Sequence, residues 1–416
     1  MKRTDTTHKF HYQCSNCNKT YAAIDVMYLC PECEKQNTSD QPPNGVLNVV
    51  YDYDNIRKKH PAFKSLQRQQ WLDLLPLNSI KSFPPLHIGN TPIYKTTNLE
   101  GEKLSFQLLL KDDARQPTFS FKDRASALVS AYAKEHKIKT IVAASTGNAG
   151  SSLAGICASQ HQKAVIIVPA KAPLAKLKQI LMYGATIVPV DGTYDDAFEL
   201  SIKATKEYGW YNRNTAYNPL TIEGKKTAAF EIFSQMKGQF PDHIFIPTGD
   251  GVILSGLYKG FEDLFYSGYT DRIPVLVAVQ AEGSSNLINN LDNSVFVAQK
   301  SQTIADSISV DIPRNFYLAK HYLKKWKGES IRVSDKEILT ASSKLARNTG
   351  VFAEPASAAA FAGFLAYWKK GLLQPESRNL VLLTGSGLKD LNAVAPIMHM
   401  PKAISPTLEN LKSFLR

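Results

Sequence analysis

The sequence predicts an α/β protein with a mainly parallel sheet and helices on both faces, and three observations carry that prediction. From Leu104 onward, apolar strand-like runs alternate with helical patterns, as in βαβ units. Hydrophobic content of 44% and charged content of 21% are those of an ordinary globular protein, and no apolar run of about eighteen residues is present to span a bilayer. At 416 residues the chain exceeds what one hydrophobic core serves, so two or three domains are expected. No internal repeat or low-complexity segment interrupts the pattern.

The chain opens Met1-Lys2-Arg3-Thr4-Asp5-Thr6-Thr7-His8, basic residues with no apolar segment behind them. It does not read as a secretory signal, and a soluble, cytoplasmic protein is expected. Next come two Cys-x-x-Cys knuckles, Cys14 with Cys17 and Cys30 with Cys33, a hairpin's length apart. Four thiolates so spaced can close around one tetrahedral metal, usually zinc. A disulfide pair is the rival reading, but a cytosolic chain with a large core elsewhere has little need of one. With all four ligands cysteine, no position stays open for substrate, so such a metal is structural. Cys157, in an apolar helical pattern, reads as a buried small hydrophobe.

A polar linker, Gln36 to Gly45, marks the first boundary and sets off residues 1–40 as a zinc-ribbon-like segment. Val46 to Tyr53 alternates like a strand, Asp54 to Leu75 holds a short helix or two, and His87 to Tyr94 reads as a turn entering a strand. The alternation then runs through strands at Leu104–Leu110, Thr140–Ala144, Ala164–Val168 and Thr186–Val190, with helices starting at Lys122, Gly150 and Ala175. The tail from Pro401 to Arg416 has a short helical pattern. Net charge is +12, spread along the chain with no nucleic-acid signature. It suits an anionic metabolite or cofactor better than nucleic acid, and solubility accounts for most of it.

In open α/β sheets ligands collect where strands end and helices begin. At the first such junction, Pro117-Thr118-Phe119-Ser120-Phe121-Lys122-Asp123-Arg124 puts Lys122 at a loop-to-helix boundary. Arg124 and the positive helix end can lower its pKa there, which suits a Schiff-base nucleophile; a solvated surface charge is the bland alternative. Ser145-Thr146-Gly147-Asn148-Ala149-Gly150 follows the next strand and offers hydroxyls, an amide and backbone N–H groups to a carboxylate. A simple helix cap would explain one of these polar residues but not the whole run. After His243–Ile246, the stretch Gly249-Asp250-Gly251-Val252-Ile253 opens a helix as a phosphate-cradling loop would, without a Walker or G-x-G-x-x-G pattern. After Leu380–Leu383, Thr384-Gly385-Ser386-Gly387-Leu388-Lys389-Asp390 ends a buried strand on a hydroxyl that could meet a ring nitrogen.

The ordered set 117–124, 145–148, 352–360 (Phe-Ala-Glu-Pro-Ala-Ser-Ala-Ala-Ala) and 384–390 resembles the threonine synthases. These belong to the tryptophan synthase β-like, or fold type II, group of enzymes that use pyridoxal 5′-phosphate (PLP). The resemblance covers roughly residues 85 to 395, and it implies two parallel-sheet α/β lobes with the cofactor between them. A small lobe at 125–225 would be inserted into a large one made of 41–124 and 226–416, with the zinc-ribbon-like segment in front. Lys122 would carry PLP and act as acid and base, Phe121 would pack beside the cofactor, and Asn148 would bond its 3′-oxygen. Ser145, Thr146, Asn148 and Ala149 would hold the substrate, Gly249 to Ile253 the cofactor phosphate, and Thr384 would face the pyridine nitrogen. The implied reaction turns O-phospho-L-homoserine and water into L-threonine and phosphate. Related dehydratases or a phosphoserine-using cysteate synthase share this machinery, and a non-catalytic binding protein on the same fold is a further alternative. A small amino-acid substrate is implied, with no nucleic acid or membrane partner, and a homodimer is the common form.

Two departures stand out. Many threonine synthases carry Asn-Pro-x-Arg-x-Glu-Gly-Gln-Lys-Thr, whose arginine grips the substrate phosphate; this chain has Thr221 in that place, in Asn218 to Thr227. Lys225, Lys226, Arg115 or Arg124 could compensate. The phosphate loop of many relatives is Gly-Asn-Ala-Gly-Asn, where this chain has Asp250. A carboxylate aimed at a phosphate is repulsive, so Asp250 is expected to turn away and cap the following helix.

Overall fold

The structure, a computed structural model, describes residues 9–398 and 400–415. The opening stretch Met1 to His8 and the terminal Arg416 lie outside them. Strands β1 (Phe10–Cys14), β2 (Thr20–Ala22) and β3 (Leu47–Tyr51) form an antiparallel sheet in the order β2-β1-β3. Alternation buries Phe10, Tyr12 and Cys14 of β1 and Leu47, Val49 and Tyr51 of β3. Because β3 pairs with β1 along its whole length, the polar linker runs inside this unit and is not a boundary. It folds back over the cysteines: Cys30 N–H donates to Gly45 O (2.8 Å), Gly45 N–H to Asn16 Oδ1 (2.7 Å) and Asn44 N–H to Asn37 Oδ1 (2.7 Å).

Beyond two short helices, Tyr53–Lys59 and Phe63–Arg68, come β4 (Ile93–Leu99) and β5 (Glu102–Asp112), an antiparallel pair. A separate parallel sheet follows, made of β6 (Thr140–Ala144), β7 (Lys163–Pro169), β8 (Thr186–Val190) and β9 (Tyr211–Asn212) in the order β8-β7-β6-β9. The chain then returns to the β4–β5 pair with β10 (His243–Pro247), β11 (Val275–Ala281), β12 (Glu329–Val333) and β13 (Arg378–Leu383), completing a six-stranded sheet in the order β12-β11-β10-β13-β5-β4. All its neighbours are parallel except β4 on β5.

Period-two alternation divides the strands of the six-stranded sheet between two cores. Leu108, Leu110, Phe245, Val277, Val279, Val381 and Leu383 face the helices Asp335–Thr349 and Pro355–Lys369. Leu109, Ile244, Ile246, Leu276, Ala278, Leu380 and Leu382 join the core that also holds Lys122–Glu135, Leu220–Gln235 and Val252–Tyr266. Burial on both faces is what a parallel sheet in an α/β protein requires, and it explains the near-continuous apolar runs.

Topology fixes where the loops meet. Strands β10, β13 and β5 are consecutive and parallel, so their carboxyl ends bring the glycine loop, the Thr384 loop and the Lys122 loop side by side. The three-stranded unit docks against β9 and the Leu220–Gln235 helix. Tyr28 stacks on Tyr217 at 4.5 Å and its hydroxyl accepts the Asn212 N–H (2.9 Å), while the Tyr51 hydroxyl donates to Glu223 Oε2 (2.5 Å). The tail forms a short helix, Leu408–Phe414, whose residues are exposed.

Candidate active site

The Lys122 loop is stitched to the end of β13. Phe121 N–H donates to Thr384 O (2.8 Å), Ser386 N–H to Phe119 O (3.1 Å), and Ser120 bridges to Gly385. Asp123 closes the turn by accepting the Thr118 N–H (2.7 Å). Lys122 is thereby held at the first position of its helix with its amine on the wall of a cavity of about 430 Å3. Burial pushes this amine below its ordinary pKa, and Arg213 adds to the effect against Glu354 and Asp250. Arg124, expected to be the neighbouring cation, is turned elsewhere. Two residues along a helix point to different faces, and its guanidinium is held by Asp113 (Nε to Oδ2, 2.6 Å) and Glu231 (Nη1 to Oε1, 2.6 Å; Nη2 to Oε2, 2.7 Å).

The second junction contributes Ser145, Thr146, Asn148 and Ala149 to the same cavity. The helix Asn148–Ser159 begins at Gly147 with no side-chain cap, so its first-turn N–H groups have no intrahelical acceptor and remain free for an anion. Asn148 does not cap; its amide donates to both oxygens of Glu354 (3.0 Å each). Glu354 is buried at the start of the Pro355–Lys369 helix, and burial raises its carboxyl pKa against the pull of Asn148 and Lys122.

The third junction brings Gly249, Asp250, Gly251, Val252 and Ile253 to the wall. Gly251, at φ 84°, makes the turn into the Val252–Tyr266 helix, a conformation that favours glycine. That displaces Asp250 from the capping position. Its carboxylate accepts the Arg314 N–H (3.0 Å) and stays on the cavity wall, where burial raises its pKa against Arg314, Lys122 and Lys225. Asp250 therefore neither turns away nor caps the helix; it ties the glycine loop to the segment before the helix Phe316–Lys325.

Two expected residues adjoin the cavity without lining it. Phe121 is fully buried, with the Arg124 guanidinium over its ring. Thr384 is buried, its carbonyl accepting the Phe121 N–H and its own N–H donating to Ser357 Oγ (2.7 Å).

Thr221 is also off the wall: it is fully buried and its hydroxyl donates to Asn218 O (2.7 Å). Among the four cations that could replace the missing arginine, only Lys225 reaches the cavity. Arg115 is exposed, Arg124 is spent as described, and Lys226 is paired with Glu223 (2.5 Å) and Asp263 (2.6 Å). Lys225 is almost fully buried and its Nζ has no hydrogen-bond partner. Burial, Arg213 and Lys122 together hold its pKa well down, with Asp250 opposing.

Arg213 escapes notice in the sequence. It follows β9, whose two residues give no periodicity, and its N–H donates to Val142 O (2.8 Å) as if the strand continued. Its Nε bonds Ser126 Oγ (3.2 Å) and its Nη1 bonds Thr215 Oγ1 (3.2 Å), but Nη2 is buried without a partner. Burial lowers its pKa to about 10. The cavity thus carries three basic side chains that form no ion pair among the described residues, Lys122, Arg213 and Lys225, along with two helix starts rich in backbone N–H groups.

This wall fits PLP. A free amine, a loop of backbone donors for one phosphate and a second helix start for a carboxylate converge in a volume suited to a small cofactor with an amino acid.

The four cysteines lie elsewhere. They are free thiols whose sulfurs all fall within 4.8 Å of one another, with Cys14 to Cys33 and Cys17 to Cys30 at 3.7 Å. A tetrahedral ion with bonds of about 2.3 Å sets its ligands about 3.8 Å apart. The donor set and its spacing therefore fit such an ion. Cys157 is fully buried, as expected, and burial raises its thiol pKa.

Comparison with known proteins points the same way. The family model of pyridoxal-phosphate dependent enzymes matches residues 85–385. The threonine synthase of Methanocaldococcus jannaschii is 32% identical over 412 residues, 97% of this chain and 99% of that protein. That of Methanosarcina acetivorans is 31% identical, covering 97% and 98%, and that of Halalkalibacterium halodurans 33%, covering 82% and 94%. Among solved structures, a threonine deaminase from T.th. aligns with a TM-score of 0.61 at 25% identity, over 72% of this chain and 92% of that one. Maize serine racemase aligns at 0.64 and 20% identity, over 85% and 98%, a likeness of fold.

Proposed function

The chain belongs to the pyridoxal-phosphate-dependent enzymes and, within them, to the threonine synthases, and on that premise we propose that it converts O-phospho-L-homoserine and water into L-threonine and phosphate. The observation that carries the site assignment is the meeting of the Lys122, Ser145 and Gly249 junctions on one cavity.

Bound there, PLP supplies an electron sink for the α-carbon of an amino acid. The protein supplies placement and proton transfer. Lys122 is the amine that carries the cofactor. Burial lowers its pKa, which favours the neutral amine that takes the α-proton and returns a proton at the β-carbon. The first-turn N–H groups of the Asn148–Ser159 helix, with the Ser145 and Thr146 hydroxyls, receive the substrate carboxylate. Backbone N–H groups of residues 249–253 receive the cofactor phosphate; that duty makes no demand on side chains and so tolerates Asp250. Asn148 is oriented toward the cavity by Glu354, which also supplies a negative charge close to Lys122.

We further assign zinc to Cys14, Cys17, Cys30 and Cys33, in a structural role, since four thiolates leave no open position. No helix among the described residues is long and apolar enough to cross a membrane.

The test is direct. Protein purified with PLP should show the visible absorbance of a lysine-bound pyridoxal, and Lys122→Ala should lose both it and turnover. O-phospho-L-homoserine should give threonine with one equivalent of phosphate. 2-Oxobutyrate from threonine, with no phosphate release from the first substrate, would overturn the assignment in favour of a dehydratase.

A further inference from the structure

The reaction brings two phosphate groups into one cavity, the cofactor's and the substrate's, and the glycine loop accounts for one of them. We propose that Lys225 and Arg213 form a second anion subsite, which takes the phosphate of the substrate in place of the arginine replaced by Thr221. This inference rests on the reading of the substrate as a phosphorylated amino acid.

Both side chains are about 1% exposed, both line the cavity, and each presents a buried nitrogen with no partner, Lys225 Nζ and Arg213 Nη2. Leaving a buried nitrogen without a partner is costly, and the cost is removed when a ligand's oxygens accept from it. Asp250 lies near enough to oppose the lowering of the Lys225 pKa, but no acid on the wall bonds either nitrogen. Asp195 pairs with Arg314, Asp306 with Lys176 (2.7 Å), Asp311 takes the Ser301 N–H (2.6 Å), and Asp250 is engaged by the Arg314 N–H. A phosphate ester dianion matches two adjacent cations in both charge and acceptor number.

Three observations direct this pair to the substrate. Asn214, next to Arg213, accepts the Ala144 N–H (2.8 Å), which fixes Arg213 to the loop that receives the substrate carboxylate. The cofactor's phosphate already has the backbone donors of residues 249–253, at the opposite sheet. Positions 221 and 225 are one turn apart on the Leu220–Gln235 helix and so share a face. The chain has moved its cation four residues along that face, exchanging arginine and glutamine of the related pattern for threonine and lysine.

The experiment compares holoenzyme carrying Lys225→Gln, Lys225→Arg or Arg213→Gln with wild type in three measurements. These are kcat and KM for O-phospho-L-homoserine, competitive inhibition by inorganic phosphate, and the dissociation constant of PLP by fluorescence. Losing one charge-assisted contact should raise both KM and the phosphate inhibition constant about tenfold to a hundredfold. Lys225→Arg should stay within a few-fold of wild type, and PLP affinity should hardly move. Two results would overturn the inference: Lys225→Gln weakening PLP with phosphate inhibition intact, or no change in any constant. Failure of wild type to make threonine would overturn the functional reading instead. In that case, phosphate binding that is lost in Lys225→Gln would still support the subsite.

Discussion

Replacing Glu231 by glutamine removes one negative charge from a buried cluster that is neutral when complete. Arg124 and Lys111 face Asp113 and Glu231, with Lys111 Nζ also bonded to Glu231 Oε2 (2.8 Å), Thr91 O (2.7 Å) and Gln235 Oε1 (2.9 Å). Glutamine keeps the shape but leaves two buried cations sharing one carboxylate. Breaking a buried pair in this way costs about 3–5 kcal/mol. With an unfolding entropy of about 2.1 cal/mol/K per residue, a cooperative 416-residue chain loses about 3–6 °C in Tm. Burial favours the protonated form of Glu231, but Arg124 and Lys111 outweigh it and hold the carboxyl at about pH 2. A depressed carboxyl stabilises the fold above its unfolded value near 4.5 and loses that contribution as pH falls toward 2. The assay is thermal unfolding of holoprotein, wild type against Glu231→Gln, from pH 7 downward. The deficit should be full above about pH 5 and shrink on acidification. Because Arg124 sits in the first turn of the helix that starts at Lys122, and Glu231 in the helix that carries Lys225, kcat should fall as well. An unchanged Tm at pH 7, or a deficit that grows on acidification, would refute the idea that this cluster clamps the two helices.

Other consequences can be checked alongside those for Lys122 and Lys225. Cys30→Ser should lower metal content and thermal stability more than it lowers turnover per folded molecule, read by metal analysis beside specific activity; a folded, metal-loaded variant without turnover would contradict a structural role. Gly385→Ala would drive a Cβ into Glu354 Oε1, forcing that carboxylate from Asn148. It should cost about 1–3 kcal/mol and weaken PLP retention, measured by unfolding and visible absorbance.

The legible parts of the sequence are those in which local chemistry and local geometry coincide. The junctions at 145 and 249 announce themselves because hydroxyls and glycines at a helix start have few other uses, and the cysteine spacing specifies its own cluster. Arg124 misleads because nearness in sequence is not nearness in space; its partner Glu231 is 107 residues away. Asp250 misleads because a capping side chain competes with a left-handed glycine, and Gly251 takes the turn. Arg213 leaves no signal, since a two-residue strand has no period and its importance comes from what the parallel sheet sets beside it. Glu354 stands within the 352–360 motif, but Glu-Pro at a helix start reads equally as a cap, and only the contact with Asn148 separates the two.

The docking of Tyr28 against Asn212 has a meaning apart from catalysis. β9 is the outer strand of the four-stranded sheet, and such a strand offers main-chain donors and acceptors to any extended peptide, including another copy of itself. The cysteine-bearing unit covers that margin with an aromatic ring and uses one of its amide protons. If an ion held by the four cysteines were stripped and the unit loosened, this margin would lose its cover and the Asn212 N–H its acceptor, so self-association should rise. Protein prepared under chelation should be judged by light scattering before it is judged by turnover.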